Sequence, residues 1–301
     1  MYVGVDVGGT KVLAVGVEES GPGVKILGSV TVAMPGRDAP EAAIEEAMAD
    51  AARRVAAGAE VRGVGISGAG LVDAEGERVR FAAHLPWRDT PVRSRMEDLL
   101  GLPVTLDNDA NCAAYAELVA GAAQGVGSAL LITVGTGIGG ALIVGGRLYR
   151  GAHGTAGEFG HMQVVPDGLE CECGLRGCWE QYCSGRALER VMRVAVGRHY
   201  DGPRVAALAR AGDEVARRSI ASIGTWLGVG AAGLVSAFDP ELVIVGGGVS
   251  NDGDLLLAPA RAALAESLQG TGHRVVPDLV PAAFGPEAGA VGAALIARDG
   301  R

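Results

Sequence analysis

Three observations predict an α/β protein of two related lobes. Short Val-rich apolar runs alternate with amphipathic helical segments along the chain. Two distant segments, VGVDVGGTKVLAVGV from Val3 and LITVGTGIGGALIVG from Leu131, share one design: strand, Gly-rich turn with a threonine, strand. The length of 301 residues suits two domains of about 150 residues each.

The elements follow in order. Residues 2–7 and 11–18 read as strands joined by Gly8-Gly9-Thr10, and residues 40–57 as an amphipathic helix with Pro40 in its first turn. VRGVGISGAG from Val61 is a strand ending in a Gly-rich loop. LPVTLDNDANCAAYAELVAG from Leu102 is a strand running into a helix, with Asn108 or Asp109 at the cap. Two apolar strands joined by glycines begin at Ala129. ELVIVGGGVS from Glu241 is a buried strand ending in Gly246, Gly247 and Gly248, and GPEAGAVGAALIA from Gly285 is a terminal helix.

Composition removes several function classes. Twenty-six basic against 35 acidic side chains give a net charge of −9, which argues against a nucleic-acid partner because that needs a basic face. No secretory leader and no membrane-spanning run are read, so the expectation is a cytoplasmic protein with no membrane partner. Five cysteines in a reducing compartment do not make a disulfide framework.

The glycine turns carry chemistry. A phosphate needs several N–H donors converging at close range, and glycine permits that approach because it lacks Cβ. Asp6, Gly8, Gly9, Thr10 and Lys11 combine amides, a hydroxyl, a cation and a carboxylate able to hold Mg²⁺ directly or through water. Gly135, Thr136, Gly137 and Gly139 form a second set, and Gly246 to Gly248 a third. None fits the Walker or dinucleotide-binding pattern. Together they favour a nucleotide cleft.

Asp107, Asn108, Asp109 and Asn111 stand at a strand-to-helix junction. One such residue suffices as a cap. Four polar groups at a strand C-terminus exceed that need, and a carboxylate there can take the proton of an attacking hydroxyl in phosphoryl transfer. Further on, His161, Cys171, Cys173 and Cys178 make a complete tetrahedral set for Zn²⁺ within a short Gly-rich stretch. Four protein ligands leave no open position, so the expected zinc is structural. One imidazole nitrogen of His161 would bind the metal while the other donates a hydrogen bond. The frame would hold Glu158 and Glu180, and its loss would touch the nucleotide loops less.

Over its whole length the chain resembles the ROK family (repressors, open reading frames and kinases), and within it the glucokinases of actinobacterial type. The resemblance rests on DVGGTK at Asp6, LDNDANCAAYAE at Leu106, GTGIGG at Gly135, GEFGH at Gly157, CECGLRGCWEQYCSGRAL at Cys171 and FDPELVIVGGGVS at Phe238. It implies the two-lobed actin-like ATPase fold, with residues 1–118 and a C-terminal helix 287–301 in one lobe and 119–286 in the other. It implies a hexose kinase using ATP and Mg²⁺, with polyphosphate open as a donor, working as a homodimer or homotetramer. Asp109 would be the base, and Gly70, Asn108, Asp109, Glu158, His161 and Glu180 would meet the sugar. The Gly-rich turns would hold the phosphates, and Gly246 to Gly248 would lie near the adenosine. His84 departs from the Asn common in family glucokinases. The alternative substrate is an N-acetylated hexosamine. The alternative of another class is a sugar-sensing repressor, which the resemblance disfavours because those members carry a DNA-binding segment ahead of the first turn.

Overall fold

In the computed structural model, residues 1–20, 23–36 and 39–300 are described. Arg301, the end of the predicted terminal helix, lies outside them. The first Val-rich segment is β1 (Tyr2–Val7), which turns at Gly8–Thr10 into β2 (Lys11–Ser20) and then β3 (Gly23–Ala33). Helix α1 (Glu41–Ala56) follows, with Pro40 as its N-cap, one position earlier than the sequence suggests. Next come β4 (Gly63–Gly68), a small sheet of β5 (Leu71–Val72), β6 (Val79–Phe81) and β7 (Arg88–Thr90), and α2 (Val92–Leu100). Then β8 (Val104–Asn108) runs directly into α3 (Asp109–Ala120).

The second half repeats the plan. Strands β9 (Ser128–Val134), β10 (Ile138–Val144) and β11 (Arg147–Tyr149) precede helices α4 (Gly185–Val196), α5 (Gly202–Arg210) and α6 (Glu214–Phe238). Strand β12 (Leu242–Gly246), α7 (Asp254–Ser267), β13 (Asp278–Pro281) and α8 (Ala288–Asp299) complete it. The two five-stranded sheets have matching orders, β3-β2-β1-β4-β8 and β11-β10-β9-β12-β13. In each, the strand before the Gly-rich turn sits centrally. β1 pairs in parallel with β4, and β9 in parallel with β12.

The chain divides into two units. Unit 1 comprises Met1–Gly125, Ala141–Gly157 and Pro286–Arg301; unit 2 comprises Val126–Gly140 and Glu158–Gly285. The sequence places residues 141–157 with the C-terminal lobe. They belong to unit 1, where β11 packs on α3 and Gly154 lies against the main chain of Val72 and Asp73. The core of unit 1 is built from Val3, Val5, Val7, Ile44, Met48, Ile66, Trp87 and Met96, all nearly inaccessible to water. In unit 2, α6 and α7 meet through glycine: a Cβ on Gly224 would lie 2.3 Å from Leu256 O, and one on Gly228 2.2 Å from Ala260 O.

Helix α6 corrects one reading. It is long and apolar enough to cross a bilayer by length and composition, yet 56% of that stretch is buried within the structure. It is a core helix whose uncharged run from Ser219 to Phe238 reflects packing.

Helix α8 covers β1 and β4 at main-chain contact distance. A Cβ on Gly4 would sit 1.7 Å from Ala290 O, and one on Gly65 1.9 Å from Ala293 O. Gly65→Ala is therefore expected to destabilise the protein by about 3 kcal/mol or more, because the obstructing atoms are backbone and cannot swing away. Urea unfolding measures it. Gly28→Ala, where a Cβ meets nothing within 4 Å, is the control and should change stability by less than about 1 kcal/mol.

Candidate active site

In unit 1, Asp6 ends the buried face of β1. Its Oδ1 accepts a short hydrogen bond from Ser67 Oγ on β4, a partner with no local sequence signal. Loss of water around the carboxylate pushes its pKa up, against the Ser67 hydrogen bond and the Lys11 charge, which pull it down. Gly289, in the first turn of α8, leaves the space: a Cβ there would lie 2.8 Å from Asp6 Oδ1 and 2.9 Å from Ser67 Oγ. The turn closes through Gly8 N–H donating to Lys11 O at 3.1 Å, and Gly9, Thr10 and Lys11 are exposed. His84 stands against this turn, its Cβ 3.4 Å from where a Gly9 Cβ would be. That places the residue which departs from the family pattern beside the first Gly-rich turn.

The junction at β8 and α3 is a dense polar network. Asn108 is the N-cap: its Oδ1 accepts from Ala110 N at 2.9 Å and Asn111 N at 3.2 Å. Its Nδ2 donates to Gly70 O at 3.0 Å, which brings predicted Gly70 to the junction. Asp109 is half-buried in the first helical turn, with Oδ1 accepting from Ala110 N at 2.8 Å. A carboxylate there is favoured by the helix dipole.

In unit 2, the metal-ligating set converges. One atom from each of His161, Cys171, Cys173 and Cys178 lies within 4.8 Å of the others. The Cys173 and Cys178 sulfurs are 3.6 Å apart, and Cys171 Sγ is 3.7 Å from His161 Nδ1. Tetrahedral zinc with Zn–S bonds of about 2.3 Å puts sulfurs about 3.8 Å apart, so the donors fit Zn²⁺. Burial first, then the Cys173 and Cys171 thiols, push Cys178 up to about 12. Three crowded thiols do not ionise together without a cation, and a bound Zn²⁺ would supply it.

The frame reaches both predicted carboxylates. His161 sits at the end of a single 3-10 turn, Phe159–His161, and its Nε2, on the side away from Cys171, is 3.9 Å from Glu158 Oε2. Partial desolvation of Glu158 raises its pKa; His161 lowers it and Glu180 raises it. Trp179 is fully buried, and its indole N–H donates to Trp226 O at 2.7 Å, anchoring the loop on α6.

Glu180 has a second engagement that the sequence does not reveal. Its Oε2 accepts the Ile138 amide at 2.9 Å, and a Cβ on Gly137 would lie 1.9 Å from that oxygen. Gly185 N–H donates to Gly135 O at 2.7 Å. The chain following Cys178 thus braces the second Gly-rich turn, so that turn is not distant from the Cys₃His frame, as the sequence reading takes it to be. Thr136 is exposed on this turn, and Gly139 lies in β10. The third glycine set ends β12. Gly247 has φ +85° and no room for a side chain, since a Cβ would meet Val134 O at 2.5 Å.

The raised pKa of Asp6 has a thermodynamic sign. The folded chain holds that proton more tightly than the unfolded chain, so stability falls as pH rises through and above the ordinary Asp value of about 3.9, and the cost persists at neutral pH. Asp6→Asn is expected to raise the melting temperature at pH 7 in the absence of nucleotide and Mg²⁺, with the gain shrinking below about pH 4. An equal shift at both pH values would contradict this.

Comparison with known proteins places these features. The ROK family model matches residues 2–300. A glucokinase of Streptomyces coelicolor is 42% identical, covering 99% of this chain and 98% of its own. The crystal structure of a ROK family glucokinase from Streptomyces griseus, in complex with glucose and AMPPNP, superposes with a TM-score of 0.92 at 42% identity, covering 99% of each chain. A ROK hexokinase from Thermus thermophilus superposes with a TM-score of 0.82 at 40% identity, over 99% of this chain and 98% of that one. With the family model spanning nearly every residue, and with the glycine turns, the capped acidic junction and the Cys₃His cluster in place, this chain belongs to the ROK family.

Proposed function

We propose that this protein is an ATP-dependent glucokinase, transferring the γ-phosphoryl group of ATP to the 6-hydroxyl of glucose. The observation that carries the reading is the β8–α3 junction, where the Asn108 cap sets Asp109 in the first turn of α3 at the C-terminal end of a strand. It stands within a chain similar from end to end to glucokinases.

The roles divide by unit. In unit 1, Asp109 accepts the proton as the sugar oxygen bonds to phosphorus and the bond to the ADP oxygen breaks. Asp6 and Thr10, with the amides of Gly8 and Gly9, serve phosphate and Mg²⁺. Asn108 and Gly70 line the sugar side of the junction. In unit 2, Gly135, Thr136, Gly137 and Gly139 face phosphate, and Gly246 to Gly248 face the adenosine. Glu158, His161 and Glu180 bond sugar hydroxyls from a frame whose order is fixed before substrate arrives, which removes the entropy cost of ordering a loose loop. Zinc, when bound by His161, Cys171, Cys173 and Cys178, supplies a fixed tautomer and ring orientation for His161.

A sugar panel with ATP or polyphosphate as donor, read by ADP release or sugar phosphate formed, tests the reading. Glucose with Mg·ATP should give the highest kcat/KM, and a clear preference for an N-acetylated hexosamine would overturn it. Asp109→Asn keeps shape and cap but removes the base, so kcat should fall about 10²–10⁴-fold while glucose still binds. Near-normal turnover in that variant would refute the assignment.

The zinc frame makes a separate prediction. Freshly purified protein should contain about one zinc per chain by elemental analysis, matching a single four-ligand site. Cys173→Ala should lower the melting temperature and raise the KM for glucose. Because Glu180 braces the Ile138 amide, the KM for ATP should rise as well. An unchanged glucose KM in a folded, zinc-free variant would reduce the metal to a stabiliser of the fold.

A further inference from the structure

Asp107 is more heavily engaged than a cap requires. It is 5% exposed, and four donors saturate its two oxygens. Oδ1 accepts the Asn108 main-chain N–H at 2.8 Å and Asn111 Nδ2 at 2.9 Å. Oδ2 accepts Arg150 Nε at 2.8 Å and Nη2 at 2.7 Å. The two Oδ1 bonds bracket Asp109: one holds the residue before it, the other the residue two after it. Capping is already done by the Asn108 side chain, so the Asp107–Arg150 pair is surplus to helix initiation.

We infer that Arg150 is a positioning residue for the reaction: through Asp107 it fixes the start of α3, and so the place and orientation of Asp109. The inference rests on the reading of Asp109 as the base. A buried carboxylate stripped of its counter-charge takes up a proton or draws in water, and either change redirects its hydrogen bonds. A displacement of about 1 Å at a reacting group can cost about 10²-fold in rate. Arg150 also stands where the chain turns toward the GEFGH segment, its carbonyl accepting Ala156 N–H at 3.0 Å. Arg150 thus joins the base-bearing junction, through its side chain, to the segment that leads into Glu158, through its main chain.

The ion pair borders a cavity of about 290 Å³ in unit 1, lined also by Asp73, Glu75, Arg93 and Thr105. Arg93 is paired with Glu77 at 2.8 Å and does not replace Arg150 at Asp107. Arg150 keeps 30% of its side chain exposed, so a small guanidinium ion can reach the place its head group leaves.

The experiment compares wild type, Arg150→Ala, Arg150→Lys, Asp109→Asn and the double variant Arg150→Ala with Asp107→Ala, as full chains with glucose and Mg·ATP. Arg150→Ala should lose about 10–10²-fold in kcat, with the KM for ATP within about two-fold of wild type. Ethylguanidinium should restore at least about five-fold of the lost kcat in Arg150→Ala, and none in wild type or in the double variant, which lacks the carboxylate. Arg150→Lys, which keeps the charge without the paired donors, should fall between and covers the case in which the alanine variant does not fold. A kcat within two-fold of wild type in Arg150→Ala, or a loss that ethylguanidinium does not relieve, overturns the inference. The Asp109→Asn control separates the two readings: near-normal kcat there sinks the base assignment, whereas an inactive Asp109→Asn beside a fully active Arg150→Ala sinks only the role of Arg150.

Discussion

Main-chain contact between α8 and the elements beneath it sets the spacing of unit 1. Gly4, Gly65 and Gly292 are the positions where no side chain fits, the last because a Cβ would fall 1.6 Å from Cys112 O on α3. Where backbone meets backbone, distance is fixed by atoms common to every residue, and the packed face cannot be retuned by exchanging one apolar side chain for another. Through Gly289 the same helix leaves room for the Asp6 carboxylate and the Ser67 hydroxyl, and through Gly292 it seats the helix that carries Asp109. Asp6 and the helix that carries Asp109 are registered against one rigid rod.

Unit 2 uses a different device for the same end. Most residues of the loop from Glu158 to Cys183 are exposed or half-buried, so packing reaches it at few points. Trp179 fills that role at one point, and the converging thiols and imidazole at another. Tyr182 assists, stacking on Trp226 with ring centroids 4.9 Å apart and accepting the Leu169 amide. Rigidity there comes from cross-links between distant points of a short loop, which suits a segment whose polar side chains must stay accessible.

Local pattern carried much of this into view. The strand–glycine–strand repeat, the Asn108 cap and the Cys-x-Cys-x₄-Cys spacing all depend on residues close together in the chain, and each stands where the pattern suggests. What local pattern cannot show is pairing between distant residues of ordinary type. Ser67 reads as one more small residue in a buried strand, Arg150 as a surface cation after a hairpin, and Gly289 as a helix-weakening glycine. Their functions appear only when β4 lies beside β1, β11 beside α3, and α8 over both strands. The family resemblance supplied roles for Glu158 and Glu180, but the Ile138 amide on Glu180 is a contact across 42 residues that no motif announces.

Unit 1 is assembled from three stretches of chain, and the last of them brings α8. During synthesis β1 emerges ahead of all of unit 2, while the helix that covers it is made after unit 2. Until then the faces of β1 and β4 around Gly4 and Gly65 have no cover, although every residue of unit 2 already exists. The nascent protein is thus obliged to hold an open sheet while unit 2 is made, and the bond between Tyr115 and Asp299, spanning 184 residues, can form only after α8 is made. Such long-range closure is slow and leaves apolar surface in water while it waits. The order of manufacture leaves this face in need of protection from self-association until α8 docks.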